Sequence, residues 1–164
     1  MPTRHIVCGA ATWLITGLLV TPTYAQRPPN APSPGPTMAQ AMAALEAAND
    51  DAESRGVRLS CAVVDSRGDL VALTRMDGAR FYSADVARGK AQVSAMFQRP
   101  SGEMGNLAQS PAFENFNQSA QGRLYPFQGA LPIMKGDETV GAMGCSGAAS
   151  QVDEDVVRAA LTRF

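Results

Sequence analysis

Histidine is almost absent from this chain. Among 164 residues the only one is His5. Aromatic side chains make up just 6%, and there are three cysteines. Charges of the two signs nearly cancel, leaving a formal net charge of -1. No basic stretch is long enough to track a nucleic-acid backbone, and so few aromatics leave little for base stacking. The most apolar run, Ile6 to Val20, has 15 residues, short of the roughly 20 that a membrane-spanning helix needs.

That run has the layout of an export signal. Arg4 and His5 form a positive start, the apolar run follows, and Thr23 and Ala25 place small residues at the -3 and -1 positions of a cleavage site. The expectation is a signal peptide over residues 1–25, cut after Ala25, and a periplasmic or secreted product. An uncleaved anchor is the alternative. Cys8 precedes most of the apolar run, which is the wrong place for a lipid-modified cysteine. Cleavage would remove His5 and leave no imidazole. A Ser-His-Asp triad, a Cys-His pair and a histidine-ligated metal are then excluded within one chain. Cys61 and Cys145 would remain in an oxidising compartment. Free cysteine packs well in cores, so two buried free thiols are expected; pairing stays open if their strands prove to be neighbours.

What is present reads as one domain after a spacer. Gln26 to Pro36 carries five prolines in eleven residues, so residues 26–37 are expected to be an extended linker. Residues 38–164 form the domain. Thr37 and Gln40 predict a capping box, and Met38, Met42, Leu45, Ala48 and Ala52 a helical apolar stripe. Leu59–Asp65 and Leu70–Met76 read as strands joined by a turn at Asp65–Asp69. Ser83 is expected to cap a helix running to Phe97, with Val86, Lys90, Val93 and Phe97 on one face. A lysine on such a stripe is expected to snorkel at the core's edge; holding a buried anion is the alternative.

Ser101–Gln128 is amide-rich and punctuated by glycine and proline. It reads as an ordered flap with short helices near Glu103–Gln109 and Ala112–Gln118. Leu131–Lys135 and Thr139–Cys145 form a second hairpin. Ser150 and Asp153 then cap a last helix, whose acidic first turn suits its dipole. The sum is an α+β fold.

Arg75-Met76-Asp77-Gly78-Ala79 is the corner to watch, because charge and glycine concentrate there just as two strands end. Arg75 and Asp77 could simply pair with each other. Gly144-Cys145-Ser146-Gly147 superficially suggests a nucleophile elbow, but Ala148 stands where G-x-S-x-G needs glycine. Only a Ser146–Lys90 pair would then be left for serine chemistry.

Taken in order, these pieces resemble the GlcG/HbpS-like haem-binding family. The residues that carry the likeness are Ala62-Val63-Val64-Asp65, Gly68, Thr74 to Ala79 and Lys90-Ala91. Gly129 to Ile133, Gly136, Val140 to Gly147 and Asp153-Glu154 complete them. The resemblance implies a profilin-like, antiparallel sheet of about five strands flanked by helices, and symmetric homo-oligomers. A similar domain is fused to some corrinoid adenosyltransferases. The resemblance also implies binding of haem or a related tetrapyrrole; together with the signal-like start, the expectation is an exported protein that binds or handles haem without turnover. The alternative is a carrier or small enzyme that uses the same pocket for an anionic metabolite.

In that pocket Arg75 and Lys90 would neutralise carboxylates, with Asp77, Gly78, Gly129, Pro132, Ser146 and Gly147 around them. The family can use histidine on iron, and the chain past Ala25 has none. Met104, Met143, Tyr82, Tyr125 or a cysteine thiolate would have to stand in. Ala130 also replaces the second glycine of a Gly-Gly-Pro-like stretch.

Overall fold

A computed structural model describes residues 35–164. The expected signal peptide, and the linker up to residue 34, lie outside the described residues. The elements run α1 (Met38–Ser54), β1 (Ser60–Asp65), β2 (Leu70–Arg75), α2 (Ser83–Phe97), a 3-10 segment (Ser101–Gln109), α3 (Pro111–Ser119), β3 (Ala130–Lys135), β4 (Glu138–Ser146) and α4 (Ser150–Leu161). This is the helix, hairpin, helix, flap, hairpin, helix order read from the residues.

Both hairpins form, and they join through their first and last strands. β1 pairs with β2 and with β4, and β4 with β3, all antiparallel, so the sheet order is β2-β1-β4-β3. Four strands are present among the described residues, where the resemblance implied about five; the two hairpins account for all of them. The first turn closes on Asp65, whose carboxylate accepts the backbone N–H groups of Arg67 and Asp69 at 2.9 and 3.0 Å.

Helices cover both faces. On one side α1 and α4 pack on Cys61, Val63, Leu131, Ile133, Met143 and Cys145. On the other, Ala91 and Ala95 of α2 pack on Val64 and Ala142. Central β1 is buried along its whole length, as a strand covered on both faces should be. The capping box forms: Gln40 N–H donates to Thr37 Oγ1 at 3.2 Å and Thr37 N–H to Gln40 Oε1 at 3.0 Å.

The apolar stripe of α1 includes Leu45, Ala48 and Ala52 as expected, but not the two methionines. Ala41, Ala44, Leu45, Ala48 and Ala52 are buried, whereas Met38 and Met42 are exposed. Alanine lets α1 approach closely, and the long methionines are left at the rim. The ends of two helices differ as well. Ser83 is inside α2, and its hydroxyl bonds the Arg80 carbonyl at 2.7 Å and the Ser60 hydroxyl at 2.8 Å rather than capping. At α4 neither Ser150 nor Asp153 caps the helix with its side chain.

Close approach of α2 depends on Gly144. A Cβ there would lie 2.6 Å from the Ala87 carbonyl oxygen and 2.9 Å from the Ala91 nitrogen. Both are backbone atoms that no rotamer change can move. Gly144→Ala is therefore expected to destabilise the fold by about 1–3 kcal/mol through overpacking, read as a lower urea midpoint; an unchanged midpoint would mean that α2 is free to lift away.

The flap is ordered and packs on the body. Phe113 and Leu124 join Val93 in a small core. Asn117 clamps Leu124 through both its backbone N–H and its carbonyl, at 2.9 and 3.2 Å. Ser101 ties the flap to β3, accepting from Ala130 N–H at 2.9 Å and donating to the Phe127 carbonyl at 2.6 Å. No described helix is long and apolar enough to cross a membrane.

Candidate functional site

One end of the sheet gathers most of the residues singled out in the sequence. Arg75 ends β2, opposite Ser60, which starts β1, and Ser60 in turn lies opposite Ser146 of β4. Gly147 follows directly and runs against Arg58 and Leu59. The corner itself is a tight turn, with Ala79 N–H donating to the Met76 carbonyl at 3.0 Å and Gly78 at a φ of 78°. Arg75 does not pair with Asp77: its Nη2 donates to the Ala79 carbonyl at 3.0 Å and braces that turn.

The other expected cation is used differently. Lys90 is 3% exposed and does not snorkel. Its Nζ donates to Asp153 Oδ2 at 2.9 Å and to the Cys145 carbonyl at 3.2 Å. The sheet topology explains this. β3 begins only at Ala130, so the Cys145 carbonyl has no strand partner, and the ammonium takes that place. Gly129 makes room, since a Cβ there would lie 2.6 Å from the ammonium and 3.0 Å from the Asp153 Cβ. Lys90 thus ties α2, on one face of the sheet, to α4, on the other.

Asp153 is 2% exposed, and its second oxygen accepts from Ala148 N–H at 3.0 Å. Burial pushes its carboxyl above the usual carboxylate range, against the opposing pull of Lys90, that hydrogen bond and Arg80. The sheet order therefore puts Arg75 and Gly129 at opposite edges, about 14 Å apart across three strand spacings. Pro132 lies further along β3, opposite Ala142.

The pair at Cys61 and Cys145 overturns the expectation of free thiols. The two residues face each other in the β1–β4 register and are disulfide-bonded. The Cys145 N–H turns towards β3, donating to the Gly129 carbonyl. Towards β1 the two cysteines are thus a non-hydrogen-bonded pair, the closer of the two antiparallel types. Among the described residues a cysteine thiolate is accordingly not available to iron.

Two other candidate iron ligands are also constrained. Met143 is 0% exposed in the core. The Tyr125 hydroxyl is pushed up to about 12, first by burial and then by its neighbour Tyr82, which opposes formation of a phenolate. Met104 packs beside the flap core. Tyr82 stays half-exposed. Among the described residues no group of three or more His, Cys, Asp or Glu could hold a metal ion.

Sequence reasoning named Tyr82 as a possible iron ligand but missed Phe81 beside it. Phe81 is 93% exposed, and its ring centroid lies 6.0 Å from that of Tyr82. Tyr82 carries a φ of 66°, in the left-handed region, which is uncommon for a bulky residue and concentrates at functional sites. Only the adjacency of Phe81 and Tyr82 to the charged corner could have signalled this.

Comparison with known proteins places this geometry. Residues 37–162 match the family model described as "Haem degrading protein HbpS-like". The chain belongs to the HbpS-like family. This is a family of haem-handling proteins. Among its relatives, an uncharacterised 15.0 kDa protein from the dhaT-dhaS intergenic region of Citrobacter freundii is 28% identical over 129 residues, 78% of this chain and 91% of that protein. A crystal structure of Klebsiella pneumoniae ORFY has a TM-score of 0.73 at 25% identity, covering 85% of this chain and 97% of that one. A double mutant of Streptomyces reticuli HbpS has a TM-score of 0.72 at 29% identity, covering 87% and 95%. In this HbpS-like chain the Lys90–Asp153 tie joins α2 to α4, and the Cys61–Cys145 bond joins the two central strands.

Proposed function

We propose that this HbpS-like protein is exported and binds haem at the Arg75–Tyr82 corner. The observation that carries the site is the exposed Phe81–Tyr82 ring pair next to the cations of that corner, in a chain of this family. A porphyrin is a broad apolar disc with two carboxylates. Exposed rings offer it area, and guanidinium groups offer its carboxylates paired donors. Arg80, exposed one residue before Phe81, is the cation best placed for this; Lys90 is committed to Asp153.

Haem would supply the iron chemistry, and Tyr82 is the residue that fits as its oxygen ligand. The side chain is half-exposed, whereas Met143 and the cysteines are enclosed. Tyrosine serves haem iron in this way elsewhere. Export is supported by the signal-like pattern of residues 1–25 and by the disulfide, a bond that persists in oxidising compartments.

Titrating the purified protein with haemin is the test. A saturable Soret change is expected, shifted in position by Tyr82→Phe and weakened by Phe81→Ala. Absence of any saturable Soret change would remove the haem reading. An unchanged spectrum in Tyr82→Phe would remove Tyr82 as ligand.

A further inference from the structure

A second cleft lies away from this corner, on the far side of α2. It is walled by α2, the β1–β2 turn and the end of α3, and encloses about 330 Å³, within the range of small-molecule sites. Arg88, Gln92 and Met96 follow at four-residue intervals along α2, so one helical stripe forms the floor. Gln92 Nε2 donates to the Gly68 carbonyl at 3.1 Å and holds the turn against that stripe. Phe116 and Leu124 close the opposite side.

The charge of this cleft is one-sided. Arg67, Arg88 and Arg123 all line it, and none of the lining residues is acidic. Arg67 is offset only by long contacts to Asp65 at 3.4 Å and Asp69 at 3.3 Å, with a side chain 69% exposed; such pairs hold weakly. Arg123 leans on the neutral amide of Gln121. The Nε of Arg88 is buried and has no hydrogen-bond partner among the described residues. An unmade hydrogen bond from a buried charged donor is costly, and native proteins leave few of them. Beside these cations Met96 and Phe116 remain 44% and 45% exposed.

We infer that this cleft is a binding site for an apolar carboxylate, with Arg88 and Arg123 gripping the carboxylate while Met96, Phe116 and Leu124 cover the hydrocarbon body. Guanidinium matches a carboxylate in shape and charge and can bind it through two parallel hydrogen bonds. Such a ligand would satisfy Arg88, relieve repulsion among three like charges and bury the exposed Phe116 ring. A small free acid and a porphyrin propionate share this chemistry, and the experiment tells them apart.

The probes are the naphthoate anion, its uncharged methyl ester and haemin, each titrated into the full protein. Naphthoate is expected to bind saturably, and the ester about tenfold or more weaker, since the ester cannot form the charge-assisted bidentate pair. Arg88→Met and Arg123→Met should each weaken naphthoate by a similar factor, with Arg88→Lys in between, while thermal melting confirms that all three are folded. No saturable naphthoate binding, an ester that binds as well as the acid, or folded arginine variants with unchanged Kd would overturn the inference. If haemin displaces naphthoate, the cleft takes a porphyrin propionate. If haemin binds without displacing it, the cleft is a separate site for a free acid. Naphthoate binding with no haemin binding would keep the cleft and remove the haem reading.

Discussion

Replacing Lys90 with Met is expected to destabilise the protein by about 3–5 kcal/mol, the usual cost of removing one partner from a buried ion pair. The reason is what stays behind. Asp153 is 2% exposed and would keep only the Ala148 N–H as a fixed donor. The Cys145 carbonyl, which β3 begins too late to reach, would lose its donor as well. Folded stability of a domain is only about 5–15 kcal/mol, so the loss is a large share. Urea unfolding of Lys90→Met against wild type measures it directly.

The pair of variants Lys90→Met and Asp153→Leu together should recover the part of that loss that comes from the unpaired carboxylate, but not the part from the Cys145 carbonyl and the Ala148 N–H, which both lose their partners. If the single variant is as stable as wild type, the ammonium is not the tie between α2 and α4. If the double variant is as unstable as the single one, packing and the two unpaired backbone groups, rather than the buried charge, explain the loss.

The same pair predicts how the loss depends on pH. Burial already holds the folded Asp153 pKa above its unfolded value. The folded state then binds the proton more tightly. Stability from this group is fully present below the unfolded carboxylate range and is lost as pH rises through the folded pKa. Lys90 pulls that pKa down, so Lys90→Met raises it further and widens the window. The penalty of Lys90→Met should therefore be largest at neutral pH and shrink on acidification, as Asp153 takes up its proton. A penalty that does not change with pH would mean that removing Lys90 leaves the protonation of Asp153 unaltered over that range.

Local signals and distant ones differ sharply in what they reveal here. The turn at Asp65–Asp69, the capping box at Thr37 and Gln40, and both hairpins each depend on residues a few positions apart, and all were legible in the sequence. The short helices of the flap were legible too, within a residue or two. Lys90 was not. Its partner lies 63 residues away, and a lone lysine on an apolar stripe reads first as an edge residue, with a buried anion only as the alternative. The disulfide was hidden for the same reason. Cys61 and Cys145 pair only because β1 and β4 are neighbours, which no local pattern announces. On α1 the pattern named the right helix but took exposed methionines for core, because close helix packing selects alanine over size. The charged corner was found from its composition. The arginine cleft was not, because Arg67, Arg88 and Arg123 come together only when the flap folds over α2.

Breaking the Cys61–Cys145 bond should cost as much as losing the lysine. The bond closes a loop across a sequence separation of 84 residues. Chain-entropy arithmetic for a loop of that size gives about 4.6 kcal/mol, within the roughly 2–5 kcal/mol usually lost with a native disulfide. Both sulfurs lie in the core that α1 and α4 share with the sheet, so a reductant reaches them only when the fold opens. Reduction should accordingly be slow in native buffer and fast near the urea midpoint. Once reduced, the protein should unfold at a lower urea concentration and with a steeper slope, because the freed chain exposes more surface when unfolded. Cys61→Ala with Cys145→Ala should match the reduced protein, apart from a small packing loss. Equal stability of the oxidised and fully reduced forms, with both thiols titrated, would show that the bond does not hold the sheet together. A loss of the expected size should also show in expression: yield in an oxidising host compartment should exceed yield in a reducing one.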